Sequence, residues 1–118
     1  QLKLVGQCYN AMDARSILVD NSVDLIFLDI NMPQVTGFEF LKGLKHPPQV
    51  VVISAHQEYA LESYEYEITD YLLKPFNSAR FAKAIEKVTD KLALLANTAN
   101  NRHNIKPNSQ DCIFIKDD

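Results

Sequence analysis

The sequence predicts an α/β fold in which helices cover both faces of a parallel β-sheet. Three short runs, LIFLD (residues 25–29), VVVIS (50–54) and YLLKP (71–75), have strand length and are almost continuously apolar. Continuous apolarity is typical of strands that are buried on both faces, as the strands of parallel sheets are. Segments with helical periodicity separate the runs, and this alternation of strand and helix indicates a parallel α/β sheet.

The remaining elements follow from weaker patterns. The segment LKLVGQC (2–8) begins with alternating polarity, which is typical of an edge strand. A long helix is predicted to begin at a cap, Asn77 or Ser78, because apolar residues then recur at spacings of four, three, four and three. These residues are Phe81, Ile85, Val88, Leu92 and Leu95. Three shorter helices are predicted over about residues 10–21, 38–44 and 58–68.

Length and composition restrict the function classes. The chain has 118 residues, enough for one domain, with 47% hydrophobic residues, 23% charged residues and a net charge of −3. The absence of a basic excess argues against direct DNA binding. No apolar run approaches the roughly 20 residues of a membrane span, so no membrane association is expected. Cys8 and Cys112 lack metal-ligand spacing and lie in apolar stretches, which fits buried thiols and a cytoplasmic location.

The chain changes character after the long predicted helix. We therefore expect a domain over residues 1–96 and a linker over 97–110, where the sequence is polar, rich in Asn and without periodicity. Residues 111–118, DCIFIKDD, have the pattern of a strand.

Three polar residues lie at the ends of the three apolar runs. Asp29, Ser54 and Lys74 each fall at the carboxyl end of a predicted strand, and ligands of parallel α/β sheets bind at this edge. Considered singly, each has an ordinary explanation: a solvated turn residue, a helix cap and a surface lysine. Their shared position favours a common site.

The three side chains suit phosphoryl chemistry. A carboxylate can act as a nucleophile toward phosphorus, a hydroxyl can donate to a phosphoryl oxygen, and an ammonium offsets added negative charge. A phosphoryl group adds about −1.5 to −2 charges, which one lysine does not balance beside a carboxylate. A divalent cation is therefore expected, and Mg²⁺ fits a shell of oxygen ligands.

Three segments of the chain resemble the signature regions of two-component response-regulator receiver domains. They are DLIFLDINMPQVTGFEFL, VVVISAH and DYLLKPF, and the resemblance covers about residues 2–96. YALESYEYEITDYLLKPF is similar in particular to the LytR/AlgR type, whose output is a LytTR DNA-binding domain. The resemblance implies a flavodoxin-like, doubly wound parallel sheet. It also implies signalling in transcription regulation rather than metabolic catalysis.

The resemblance implies roles for individual residues. Asp29 would accept a phosphoryl group from a histidine kinase, Ser54 would be the switch hydroxyl and Lys74 the lysine of the site. Asp29 and the backbone carbonyl of Asn31 would bind Mg²⁺. The backbone N–H of Ala55 would face the phosphoryl group. Two further residues match the family: Tyr71 as the switch aromatic, which turns inward when the hydroxyl moves, and Pro75 as the site of a cis peptide bond.

His56 and the region that follows it have less certain roles. His56 matches a family position that tunes autodephosphorylation, although an exposed histidine without a role fits the sequence almost as well. Residues 58–96 would form the surface through which the family signals and dimerises, so a homodimer is expected. Contact with DNA would occur only through the LytTR domain, which is absent from these residues.

The sequence departs from the receiver pattern at its start. Receivers begin with a buried strand that ends in an acidic pair, followed by a helix, and both are absent before LKLVGQC. We therefore expect an N-terminally incomplete receiver in which Mg²⁺ binding is weakened or lost. Residues 111–118 could begin a LytTR domain, which we favour, or could occupy the central slot of the absent strand, with Asp117 and Asp118 as substitutes for its acids.

Two alternative functions follow from these departures. Without the acidic pair, the chain could act as a dimerisation or protein-interaction module that is not phosphorylated. An enzyme of similar fold is less well supported: haloacid-dehalogenase-type phosphatases have a second acid where this chain has Asn31, and the three glycines do not form a phosphate loop.

Overall fold

The computed structural model describes residues 2–8, 11–20, 22–30, 40–44, 48–98 and 110–117. Five strands form one sheet: β1 (Leu2–Cys8), β2 (Leu25–Ile30), β3 (Gln49–Ser54), β4 (Asp70–Leu73) and β5 (Gln110–Asp117). The helices are α1 (Ala11–Asp20), α2 (Ala60–Tyr64) and α3 (Ser78–Thr98), with a 3-10 turn at Gln57–Tyr59. Residues 40–42 are also helical.

Two apolar clusters lie on opposite faces of the sheet, as the continuous apolarity of the strands predicts. Leu25 and Phe27 pack in the cluster that includes Ala84 and Val88 of α3. Ile26 and Leu28 of the same strand belong to the other cluster, together with Ala14 of α1. Because successive strand residues point to opposite faces, one apolar run serves both clusters, and the prediction of helices on both faces is confirmed.

The sheet order is β1-β5-β2-β3-β4, and the pairs β1–β5, β5–β2, β2–β3 and β3–β4 are parallel. In the flavodoxin-like order 2-1-3-4-5, the first strand of the chain lies between the second and the third. Here β5 occupies the equivalent central position, with Leu25 opposite Cys112 and Ile30 opposite Asp117. The hypothesis that the final residues fill the central slot is therefore confirmed for the backbone. Their assignment to a LytTR domain stays a prediction.

The helices agree with the sequence in most places. The first predicted helix corresponds to α1, and α3 runs to Thr98, two residues past the predicted boundary at 96. The helix predicted over 58–68 was wrong in its extent, because α2 ends at Tyr64 and Glu67 then adopts a left-handed backbone with φ of 61°. The prediction for 38–44 is tested only over its second half, where residues 40–42 are helical. The predicted linker lies largely outside the described residues.

Candidate functional site

The carboxyl ends of β2, β3 and β4 bring the three predicted site residues to one rim of the sheet. Asp29 is opposite Ile53 in the register of β2 and β3, so Ser54 lies one position further along the neighbouring strand. Ser54 is in turn opposite Leu73, the last residue of β4 before Lys74. Parallel strands with this register have their carboxyl ends at a common edge, and the predicted convergence is confirmed.

Asp29 and Lys74 form the central contact of this rim. The Lys74 Nζ lies 3.1 Å from Oδ1 and 3.2 Å from Oδ2 of Asp29. The carboxylate is only 4% exposed, whereas the lysine side chain is partly exposed to solvent. A buried carboxylate is therefore neutralised by a cation that keeps access to water.

The backbone around Lys74 explains how the lysine reaches the rim. The Lys74 N–H donates to the Ser54 carbonyl at 2.7 Å, which fixes the start of the loop against the end of β3. The Lys74–Pro75 peptide bond is cis, as the resemblance predicts for this position. These constraints hold the first residue after β4 beside the last residue of β3.

Ser54 and Tyr71 meet at the backbone of His56. The His56 N–H donates to Ser54 Oγ at 3.0 Å, and the Tyr71 hydroxyl donates to the His56 carbonyl. Both side chains are buried: Ser54 is 0% exposed and Tyr71 is 7% exposed. Burial raises the pKa of the Tyr71 hydroxyl, while hydrogen bonding with the Ser54 side chain opposes this effect. The Ser54 hydroxyl and the Tyr71 side chain are thus connected through the backbone of His56.

Other predicted residues contribute less to the described site. Ala55 is an exposed residue directly after Ser54. The half-buried His56 ring lies 3.7 Å from a carboxylate oxygen of Glu58 and packs edge-on against Tyr59; whether it tunes autodephosphorylation or has no role stays a prediction. Asn31 and Asp118 lie outside the described residues, as do the side chains of Cys112 and Asp117.

The rim supplies part of the oxygen shell that the predicted Mg²⁺ site requires. Within the described ranges, no three or more His, Cys, Asp or Glu side chains form a group that could hold a metal ion. The rim nevertheless supplies the buried carboxylate of Asp29, and Mg²⁺ is commonly bound through one or two carboxylates while it keeps several waters. The donor chemistry of the rim is therefore compatible with the ion, with Asp29 as the described ligand.

A second buried aspartate was missed by the sequence analysis. Asp70, at the amino end of β4, is 0% exposed and is paired with Arg80 and Lys87 of α3. Burial alone would raise the pKa of its carboxyl, but hydrogen bonds from Arg80 and from the Tyr71 N–H, together with the charges of Arg80 and Lys87, lower the pKa to about 2. An acid at the start of a buried strand, followed by cations in the next helix, is the sequence signal for such a pair.

Comparison with known families identifies the protein class. The model of the response regulator receiver domain matches residues 1–86. This chain belongs to the response regulator receiver family. Solved receiver structures share its fold: the response regulatory domain of MrkE from Klebsiella pneumoniae has a TM-score of 0.67 and 35% identity, covering 80% of each chain. A receiver domain of a putative LuxO repressor protein from Vibrio parahaemolyticus has a TM-score of 0.65 at 17% identity, covering 86% of this chain and 100% of that chain.

Curated relatives of this receiver are transcriptional regulators and related response regulators. The MrkE protein of Klebsiella pneumoniae is 34% identical over 122 residues, which cover 100% of this chain and 45% of MrkE. The transcriptional regulatory protein LytR of Staphylococcus aureus is 34% identical over 99 residues, covering 81% of this chain and 40% of LytR. The sensory transduction protein LytT of Bacillus anthracis is 36% identical over 90 residues, covering 74% of this chain and 37% of LytT. The chain thus spans less than half the length of these relatives.

One of these relatives is named a transcriptional regulatory protein and another a sensory transduction protein. The long helix α3 does not resemble a membrane span: within the described ranges, no helix is both long enough and apolar enough to cross a bilayer.

Proposed function

We propose that this receiver accepts a phosphoryl group on Asp29 from a histidine kinase. The observation that carries the proposal is the buried Asp29 carboxylate with the Lys74 ammonium 3.1 Å away. A carboxylate oxygen would attack phosphorus, so that an oxygen–phosphorus bond forms while the nitrogen–phosphorus bond of a phosphohistidine breaks and its electron pair stays on the imidazole, which takes up a proton. Lys74 would then offset the added negative charge.

Mg²⁺, when bound, would neutralise charge on the phosphoryl oxygens, with Asp29 and the Asn31 carbonyl among its ligands. The chain's own residues would orient the group: Ser54 lies at the same rim, and Ala55 follows it directly. The Ser54 hydroxyl and the Ala55 N–H are hydrogen-bond donors, and a phosphoryl oxygen is a strong acceptor.

The switch would operate through His56. If the Ser54 hydroxyl turns toward a phosphoryl oxygen, the His56 N–H loses the acceptor that it has at 3.0 Å. The loop backbone must then adjust, and the hydrogen bond from Tyr71 to the His56 carbonyl is affected. Tyr71 is already buried in this structure, so phosphorylation would select between arrangements of a buried ring and its loop, as a shift between pre-existing conformers.

The output would be self-association through residues 58–96, passed to a LytTR DNA-binding domain. This surface carries exposed apolar side chains: Leu61 of α2 is 83% exposed, and Tyr64 and Leu73 are also exposed. Exposed apolar groups that lie on neighbouring elements favour a protein contact over solvent. The protein would act in the cytoplasm as a signalling module and not as a metabolic enzyme.

The alternative function is a dimerisation or interaction module that is not phosphorylated. It is favoured because, among the described residues, no group of three or more His, Cys, Asp or Glu side chains could hold a metal ion.

Phosphorylation by a small phosphodonor separates the two functions. The wild-type protein is incubated with acetyl phosphate, with and without Mg²⁺, and its mass is measured. We expect an added phosphoryl group that depends on Mg²⁺ and is lost in Asp29→Asn. Asp90→Asn, an exposed substitution on α3, is the matched control and should label like the wild type. Undiminished labelling of Asp29→Asn would refute the phosphoacceptor assignment, and no labelling of the wild type would favour the interaction module.

A further inference from the structure

The second buried aspartate makes contacts that converge on the switch aromatic. The two oxygens of Asp70 accept a bidentate pair of hydrogen bonds from Arg80, at 2.7 and 2.8 Å. Asp70 Oδ1 also accepts from the Tyr71 N–H at 2.8 Å. A third Arg80 bond, at 3.2 Å, goes to the Tyr71 carbonyl. The N–H and the carbonyl of Tyr71 are therefore both held by one ion pair.

The position of β4 explains why Tyr71 needs these partners. β4 ends the order of the described strands and pairs there with β3. The Lys74 N–H bonds to Ser54 on the β3 side, whereas the polar backbone groups of Tyr71 are bonded by side chains. An ion pair at the edge of a sheet replaces the hydrogen bonds that a further strand would provide. Arg80 and Asp70 thus fix the backbone from which the Tyr71 ring extends.

The location of Arg80 is itself fixed by the beginning of α3. Asn77 Oδ1 accepts the Arg80 N–H at 2.8 Å, and the Asn77 carbonyl accepts the Phe81 N–H at 3.1 Å. This is the geometry of an N-cap, so the backbone of Arg80 is ordered within the first helical turn. The planar guanidinium can then meet the carboxylate with two parallel bonds.

The Asp70 carboxylate connects the surfaces of α2 and α3. The Tyr64 hydroxyl of α2 donates to Asp70 Oδ1 at 3.3 Å, and Lys87 Nζ of α3 lies 3.4 Å from the same oxygen. Tyr64, Arg80 and Lys87 all keep partly exposed side chains. A change on either helix surface can therefore reach Tyr71 through one buried group.

We propose that Asp70 and Arg80 are positioning residues for Tyr71, and that they link the surfaces of α2 and α3 to the arrangement of its ring. The link to signalling rests on the proposed function, in which Tyr71 responds to a phosphoryl group on Asp29. The positioning of Tyr71 by Asp70 and Arg80 is independent of the proposed function, because these contacts are present in the structure.

The positioning is tested by NMR of protein with ¹³C-labelled tyrosine rings, in which Tyr71→Phe assigns the Tyr71 signals. Arg80→Gln removes the bonds to Asp70 and to the Tyr71 carbonyl, and Arg80→Lys keeps the charge but loses the bidentate geometry. We expect both variants to shift and broaden the Tyr71 ring signals, and to lower the pKa of its hydroxyl as the ring gains water.

Lys91→Gln, an exposed substitution on α3 that removes the same charge, is the matched control. It should leave the Tyr71 signals in place. If the Arg80 variants lower the melting temperature but leave the Tyr71 ring signals and hydroxyl pKa unchanged, Arg80 is only structural and the proposal is overturned.

The link to signalling is tested with acetyl phosphate and Mg²⁺ on the same labelled proteins. In the wild type, phosphorylation should move the Tyr71 ring signals. In folded Arg80→Lys, labelling should persist while this movement is reduced at least twofold, and an equal movement would overturn the link. If the wild type does not label, the proposed function fails, whereas the comparison without phosphodonor still decides whether Arg80 positions Tyr71.

Discussion

Asp29, near the carboxyl end of β2, and Asp70, at the amino end of β4, differ in how completely their oxygens are bonded. Both carboxylates are buried, with 4% and 0% of their surface exposed. Among the described residues, Asp29 is contacted by the Lys74 ammonium. Asp70 accepts from Arg80, from the Tyr71 N–H and from Tyr64, and has Lys87 nearby. Among the described residues, the Asp29 carboxylate therefore has fewer bonding partners than the Asp70 carboxylate, whose two oxygens are fully bonded.

The difference teaches how the same side chain serves reactivity or structure. A nucleophilic oxygen needs a lone pair that is available to the incoming group. A structural carboxylate gains from the opposite arrangement, because a buried charge is stable only when it is fully paired and hydrogen-bonded. In this receiver the proposed phosphoacceptor lies near the carboxyl end of β2 and the fully bonded carboxylate at the amino end of β4.

The same substitution should therefore change the free energy of unfolding much more at Asp70 than at Asp29. We expect Asp70→Asn to lower the free energy of unfolding by about 3 kcal/mol, because removal of one partner leaves Arg80 and Lys87 without their anion. Asp29→Asn should change it by less than about 1 kcal/mol, because the partly exposed Lys74 can return to water. Urea unfolding of each variant measures the two values.

Asp90→Asn on the exposed face of α3 again serves as the control and should be near neutral. The contrast between the two sites would be broken if Asp29→Asn cost as much stability as Asp70→Asn. In that case the partners of Asp29 are as structural as those of Asp70.

The ion pair of Asp70 should also make the free energy of unfolding depend on pH. The pKa of Asp70 is lowered from 3.8 to about 2 in the fold, so its ionised form stabilises the protein at any pH above about 4. This contribution, about 2 kcal/mol, is lost as the pH falls from about 4 to about 2 and the carboxyl becomes protonated in the folded state as well. The free energy of unfolding, measured by urea titration between pH 2 and pH 6, should show this decline in the wild type. In Asp70→Asn the decline should be shallower by that amount, and curves of equal slope would contradict the assignment.

Much of this arrangement could be predicted from local patterns. Apolar runs predicted β2, β3 and β4 and, through their common direction, the meeting of Asp29 with Lys74. The four-three spacing predicted the buried face of α3, where Phe81, Ile85 and Leu92 pack against a core cluster. Leu95 is exposed beyond the end of that cluster. These features follow from period and strand direction, which are properties of short segments.

The remaining features depend on contacts between distant segments. The position of β5 could be proposed only because a strand-like run matched an empty place in the order, since register with β1 and β2 has no local signal. The Asp70–Arg80 pair joins a strand end to a helix start across ten residues, and neither residue interrupts an apolar pattern. The early end of α2 reflects the left-handed backbone at Glu67, where a non-glycine residue is uncommon and sequence gives little warning.

The smallest effect is expected at the cap that orders Arg80. Asn77→Ala removes the acceptor of the Arg80 N–H and should lower the free energy of unfolding by about 1 kcal/mol. Ser78→Ala, one residue further and exposed, is the matched control and should change it by less than about 0.5 kcal/mol. Urea unfolding of Asn77→Ala, Asp70→Asn and the double variant then shows whether the cap acts through the ion pair. If it does, the double variant should lose less than the sum of the single losses; strictly additive losses would mean that the cap stabilises α3 alone and has no part in holding Arg80 against Asp70.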